Sequence, residues 1–266
     1  MKAILKYPGG KWRIADWIIG HFPEHKVYCE PFFGSGAVLF NKKPVYTETV
    51  NDMDGNIVNL FYVCREYPDE LAQLIKLTPF ARDEFKNCYE KSDNPIEQAR
   101  RTLVRYHQSF GTANSSKNSW KNTQTYGGPR CATMWNYLPE TIIECCERLK
   151  NVQIENIDAV ELIKRYDNEN TLIYCDPPYL QDIRRKNIYA VEMDTEKHIE
   201  LLAAVKNSKS KIVLSGYDSD LYNSELSEWY TDEIQTTAQM GLHRTEKLWM
   251  NFCTENLFTK MGGLNE

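Results

Sequence analysis

At 266 residues, with 42% hydrophobic and 26% charged residues, the chain is long enough for one large α/β domain, and no apolar run reaches the roughly 18 residues of a membrane span. Its eight cysteines form no Cys-x-x-Cys pair and its five histidines add no ligand spacing, which argues against a metal site or a disulfide framework. The net charge of −5 excludes a uniformly basic nucleic-acid binder, and Met1 to Lys11 lacks the apolar block of a signal peptide, as expected of a cytoplasmic protein.

Lys6-Tyr7-Pro8-Gly9-Gly10-Lys11 opens the chain as a turn between two lysines, suited to fold back over a ligand with Tyr7 packing on it and Lys11 meeting a carboxylate. Val27 to Phe32 is a strand candidate. It runs into Glu30-Pro31-Phe32-Phe33-Gly34-Ser35-Gly36, whose glycines permit close backbone approach to a ligand, and Ala37 to Phe40 continues as a helix. This turn is neither the G-x-G-x-x-G dinucleotide pattern nor a G-x-x-x-x-G-K-[ST] phosphate loop, so hydride transfer and nucleotide hydrolysis lose support. A second strand, Val45 to Val50, leads to Asn51-Asp52-Met53-Asp54 and a helix from Asn56 to Tyr67. Asp52 stands where an acidic side chain accepts ribose hydroxyls, and Asp54 is the better helix cap.

From Glu66 to Tyr106 the pattern is mostly helical, broken near Pro68, Pro79 and Ser92-Asp93-Asn94-Pro95, where Ser92 or Asp93 is expected to cap the next helix. No Asp or Glu lies between Gln98 and Pro139, whereas Arg100, Arg101, Arg105, Lys117, Lys121 and Arg130 do. One basic segment on an acidic body suits a localised DNA-contacting face. Within it, Ser109 to Thr133 is rich in Asn, Ser, Thr and Gly and longer than an ordinary connection.

Asn136 to Lys150 reads as helix, Val152 to Asn156 as strand, Ala159 to Tyr166 as helix, and Thr171 to Cys175 as a buried strand ending at Asp176-Pro177-Pro178-Tyr179. Then come a helix from Asp194 to Lys206, a strand from Lys211 to Ser215, a short helix near Leu221, and strands Trp229 to Thr236 and Lys247 to Phe252. The alternation predicts a mainly parallel sheet with an antiparallel finish.

Asp176-Pro177-Pro178-Tyr179 carries the most chemistry. An aromatic amino group is a poor nucleophile because its lone pair is delocalised into the ring. A carboxylate (Asp176) and a backbone carbonyl (Pro177) accepting its two hydrogens localise that pair and stabilise the positive charge that builds during attack. Consecutive prolines fix φ and remove backbone donors, and Tyr179 offers a ring on which a base rotated out of the duplex can stack.

In their order, these three blocks resemble the DNA adenine methyltransferase (Dam) family, including its phage members. The resemblance spans Lys6 to about Phe252 and implies a Rossmann-like S-adenosylmethionine-dependent methyltransferase sheet with a helical and loop target-recognition insertion. Residues 1–65 and 150–266 would form the catalytic domain and 66–149 the insertion. It implies S-adenosyl-L-methionine as cofactor, held by Tyr7, Lys11, Glu30, Phe32, Gly34, Ser35, Gly36, Asp52, Asp176 and, by a weaker match, Ile157 and Asp158. Asp176, Pro177, Pro178 and Tyr179 fall on the catalytic block, and no metal is expected. The partner is double-stranded DNA, touched by Lys6, Arg105, Ser109, Lys117, Lys121 and Arg130. A cognate restriction enzyme is a candidate further partner, and the expected assembly is a monomer or weak dimer. Tyr106-His107-Gln108-Ser109-Phe110-Gly111 departs from the Asn-Arg-Tyr-Gly-Tyr-Asn-like stretch of GATC-reading members, and Arg184-Arg185-Lys186 follows as a candidate DNA-closing loop. RNA adenine, the cytosine amino group or a protein amide are competing acceptors. A non-catalytic DNA-binding relative is the other alternative.

Overall fold

Thr171–Cys175 carries no charge and is buried at every position, which places it as β4 inside a sheet covered on both faces. The structure, a computed structural model, describes residues 2–111, 118–124, 126, 130–180, 190–237 and 243–253. In chain order its strands are β1 (Val27–Glu30), β2 (Thr47–Asn51), β3 (Val152–Glu155), β4, β5 (Lys211–Tyr217), β6 (Tyr230–Thr237) and β7 (His243–Met250). They form one sheet of order β3-β2-β1-β4-β5-β7-β6, in which β7 runs against the common direction of the other six strands.

The chain winds outward from β1 to β3 on one side and from β4 onward on the other. Strand order therefore reverses between β1 and β4, and the loops leaving their carboxyl ends part there to leave a crevice. The Gly-rich turn and Asp176 sit at those two ends. β1 stops at Glu30 because Pro31 has no N–H for the ladder. The last strand begins at His243, four residues before the sequence pattern suggests, because it pairs with β6 from Tyr230↔Met250 to Thr237↔His243 through polar positions that carry no apolar alternation.

Side chains alternate between two cores, as the strand period of two requires. Tyr28, Tyr174, Val213 and Leu248 face the larger core, built with α1 (Ala15–Ile19), α3 (Gly55–Glu66), α4 (Pro68–Leu77), α6 (Pro95–Gln108) and α8 (Leu138–Leu149). Cys29, Ile173, Ile212 and Trp249 face the other, covered by α9 (Ala159–Arg165), α10 (Thr195–Lys206) and α11 (Asp220–Glu225). The short helices α2 (Ala37–Asn41), α5 (Arg82–Asn87) and α7 (Cys131–Trp135) complete the set among the described residues. α4 to α8 are inserted between α3 and β3 but share the larger core with the sheet.

Caps explain the helix starts. Asp54 accepts the Asn56 N–H at 2.9 Å, as its position suggests, and Asp194 caps α10. At α6 the cap is Asn94 rather than Ser92 or Asp93: Asn94 accepts from the Ile96 and Glu97 N–H groups, Pro95 fills the first helical position, and the Ser92 hydroxyl accepts the Asn94 N–H.

Candidate active site

Two left-handed glycines shape the floor of the crevice. Gly34 has φ +50° and Gly36 φ +68°, and the turn closes with Gly36 N–H donating to the Phe33 carbonyl at 2.8 Å. A Cβ at Gly36 would fall 2.5 Å from the Phe40 ring and 2.6 Å from that of Phe33. At Gly34 it would meet the Tyr7 ring at 3.0 Å, because the N-terminal turn does fold back, onto the Gly-rich turn. Trp12 Nε1 fastens it by donating to Ser35 Oγ at 3.1 Å.

Above this floor lies a cleft of about 1050 Å³ counting its open mouth, lined by Tyr7, Lys11, Glu30, Phe32, Gly34, Ser35, Asp52, Asp158 and Asp176, among others. Of the residues expected at the cofactor, Gly36 and Ile157 do not line it. Gly36 works through the backbone turn, and Ile157 packs beneath, its N–H bound by Asn51 Oδ1. Asp158 caps α9 by accepting the Val160 and Glu161 N–H groups. Asp52 accepts the Gly34 N–H at 2.8 Å on one oxygen and the Asp54 N–H at 2.9 Å on the other, which locks the ends of β1 and β2 together and leaves each oxygen capacity for a further donor.

Burial raises the acids of this cleft. Glu30 is pushed up to about 8 by desolvation, opposed by the hydrogen bond from the Tyr28 hydroxyl (2.8 Å) and reinforced by the charge of Asp176. Asp52 rises to about 6 for the same first reason, with the backbone N–H groups holding it lower.

At the end of β4, Asp176 is oriented by two donors on one oxygen: Ser215 Oγ at 2.9 Å, itself bound to the Tyr174 hydroxyl at 2.9 Å, and the ammonium of Lys11 at 3.0 Å. Its Oδ2 takes no hydrogen bond from the described residues, and the carbonyl of buried Pro177 accepts none from them either. The Lys11 ammonium also donates to the Tyr179 hydroxyl and lies 3.6 Å from Glu246, so it is engaged with these groups. Tyr179 is buried, donates to Glu246 at 3.0 Å, and sets its ring 4.2 Å from that of Tyr217, beside a shallow hollow of about 230 Å³ counting its open mouth, lined by Pro177, Tyr179, Ser215 and Tyr217 among others. Pro178 faces the larger cleft.

Ser215, Tyr217 and Glu246 are absent from the sequence-based site. Ser215 ends the predicted strand Lys211 to Ser215, and its place beside β4 in the sheet is the signal that could have found it. Glu246 has no such signal, since it lies in a polar run.

The residues expected at DNA divide. Lys6 and Lys121 come together: desolvation, then the charge of Lys121, lowers the Lys6 ammonium below its ordinary value. His107 behind them drops to about 4 through burial and then Lys6, with Nε2 2.8 Å from the Ile4 carbonyl. Arg130 is exposed before α7, and the Arg105 guanidinium lies 5.2 Å from the centre of the Tyr89 ring. Ser109 is buried and its hydroxyl donates to the Arg105 carbonyl, so its own hydrogen is committed inside the chain. Arg100 and Arg101 correct the charge count, because Glu84 and Glu97 hold Arg100 at 2.6 and 2.7 Å and Glu97 holds Arg101 at 2.7 Å. Lys117 and the Arg184-Arg185-Lys186 loop lie outside the described residues. No described helix is long and apolar enough to cross a membrane, and the described residues hold no cluster of metal ligands.

The DNA adenine methylase of Escherichia coli strain K12 is 23% identical over 243 residues, covering 86% of this chain and 84% of that protein. The DNA adenine methylase of Haemophilus influenzae is 27% identical over 199 residues, covering 67% and 64%, and that of Vibrio cholerae serotype O1 is 24% identical over 184 residues, covering 67% and 65%. A glycine-floored crevice beside a strand-end Asp-Pro-Pro-Tyr is thus matched by likeness along most of the sequence. With the model of the D12 class N6 adenine-specific DNA methyltransferases covering residues 7–247, the chain belongs to that family of enzymes.

Proposed function

We propose that the chain transfers the methyl group of S-adenosyl-L-methionine to the N6 amino group of adenine in double-stranded DNA, with residues 66–149 serving target recognition. The observation that carries this reading is the state of the catalytic block: Asp176 is fixed through Oδ1, while Oδ2 and the Pro177 carbonyl take no hydrogen bond from the described residues. Two acceptors at adjacent positions match the two hydrogens of one amino group.

The cleft suits the donor by its chemistry. Asp52 can accept from a ribose diol, and Asp176 sets negative charge toward a sulfonium, joined by Glu30 once that carboxyl loses its proton. When bound, the donor supplies an electrophilic methyl group activated by its positively charged sulfur. Asp176 and the Pro177 carbonyl accept the amino hydrogens, draw the nitrogen lone pair out of the ring system and stabilise the cationic nitrogen as it forms. Tyr179 and Tyr217 flank the hollow into which a base turned out of the helix would stack. Holding the two reactants in line is the other contribution.

Incubating the purified chain with a methyl-labelled donor and unmethylated duplexes of all short contexts should place the label in N6-methyladenine on nucleoside analysis. Label in cytosine, RNA or protein instead overturns the assignment.

The paired lysines give a second expectation. Each phosphate contact contributes about 0.9 to the slope of log affinity against log salt. Replacing Lys6 and Lys121 by alanine should weaken DNA binding across all sequences and flatten that slope by about 2, as read in a salt titration. An unchanged slope removes the pair from the phosphate-binding face.

A further inference from the structure

Glu246 stands on β7 opposite Tyr217 of β5 and Ile234 of β6, and it is 7% exposed. The same face of that strand continues as Leu248 and Met250, both buried in the larger core. An apolar residue would serve the sheet as well there, since a buried carboxylate costs desolvation that its partners only partly return. Burial pushes this carboxyl above its ordinary value, Lys11 pulls it back, and Asp176 raises it again. A position that keeps a charge against this cost has another reason to do so.

The contacts supply the reason. Lys11 lies 3.0 Å from Asp176 and 3.6 Å from Glu246, and the Tyr179 hydroxyl donates to Glu246 at 3.0 Å. With Asp176 alone, the ammonium would cancel the negative charge that the target nitrogen needs beside it and would repel the positive charge developing there. The second carboxylate restores a net negative charge to the cluster.

Resting on the adenine reading above, we propose that Glu246 is a positioning residue of the transfer: it holds the Lys11 ammonium and the Tyr179 hydroxyl, so that Asp176 meets the target amine with its charge uncancelled. The groups facing it are Lys11 from the N-terminal turn, Asp176 and Tyr179 after β4, and Tyr217 from β5. Arg244 on its own strand adds a positive charge, and β6 contributes the uncharged Ile234. Protonation of Glu246 undoes the arrangement, so wild-type kcat falls on the acid side as this carboxyl gains its proton.

The test compares wild type, Glu246→Gln and Glu246→Asp in DNA methylation across pH. Glutamine keeps an acceptor for Tyr179 but no charge, so kcat at neutral pH is expected to fall about 10- to 100-fold, with the KM of the donor changed less than about threefold and the acid limb of kcat flattened. Aspartate is expected to recover both rate and acid limb in part. A glutamine variant with wild-type kcat and an unchanged pH profile overturns the proposal. A double-mutant cycle of Tyr179→Phe and Glu246→Gln, read in the unfolding equilibrium, needs no turnover. The double variant should depart at least about threefold from the product of the singles, and simple additivity counts against the contact. A wild-type chain that leaves adenine unmethylated overturns the adenine reading instead, and the cycle still decides whether Glu246 holds Tyr179.

Discussion

Replacing Asp176 by asparagine lowers kcat by about 10²- to 10³-fold or more, the loss that follows when one preorganised charge-stabilising group leaves a water-poor site. Asparagine fills the same space and can keep the bond from Ser215 Oγ, so the fold and the β4 strand end survive. Two things change. The carboxamide carries no negative charge to stabilise the cationic nitrogen, and turning its oxygen toward Ser215 and Lys11 leaves an NH₂ where the acceptor for the target amine should be. Asp176→Ala removes both carboxylate oxygens, keeps the Pro177 carbonyl and leaves the Lys11 ammonium to Glu246, 3.6 Å away. Single-turnover methylation with donor and duplex at saturation isolates the chemical step, and donor binding followed by calorimetry should remain measurable though weaker. A single-turnover rate within tenfold of wild type for the asparagine variant removes Asp176 from its role.

The two ends of the crevice are readable in the sequence because each is set by local chemistry. Gly34 and Gly36 are required by backbone angles that other residues avoid, Pro31 ends a strand by lacking a donor, and Asp176-Pro177-Pro178-Tyr179 follows a strand whose apolar character marks it as central. Asp54 as a cap is legible for the same reason. What stays hidden is decided by partners distant in the chain. Glu246 sits in Arg244-Thr245-Glu246-Lys247, a run that reads as a solvated edge. Only the insertion of β7 between β5 and β6 buries one of its charges against Lys11 and Tyr179. The charge of the segment from Gln98 to Pro139 is misjudged from sequence in a related way. Counting begins at Gln98, but α6 starts at Pro95, so the pairs from Glu97 to Arg100 and Arg101, three and four residues on, cross the boundary. Exposed basic character therefore rests on fewer residues than the tally suggests, and half-buried Lys6, far away in sequence, adds its charge beside half-buried Lys121.

Glu30 gives the second large effect, and its sign is fixed by where its proton binds. In the unfolded chain this carboxyl titrates near its ordinary value of 4.5, whereas burial in the folded protein raises it to about 8. The folded state thus holds a proton that the unfolded state has lost across that window. The stability linked to this group is fully present below 4.5 and is lost as pH rises through about 8, an effect on the order of a few kcal/mol. Glutamine at this position keeps an oxygen for the Tyr28 hydroxyl and has no charge to desolvate. Glu30→Gln should therefore match the wild-type melting temperature near pH 4.5, exceed it by several degrees at pH 9, and lose this share of the pH dependence. Donor binding should move the opposite way. A cationic ligand favours the carboxylate, so wild type should prefer the sulfonium donor over its neutral thioether product more strongly as pH rises through about 8, while the variant discriminates weakly at every pH. Melting curves and competition binding at pH 5, 7 and 9 measure both. A melting-temperature difference that does not vary with pH shows that the Glu30 proton is not linked to folding, and an unchanged donor preference in the variant takes the carboxylate away from the cation.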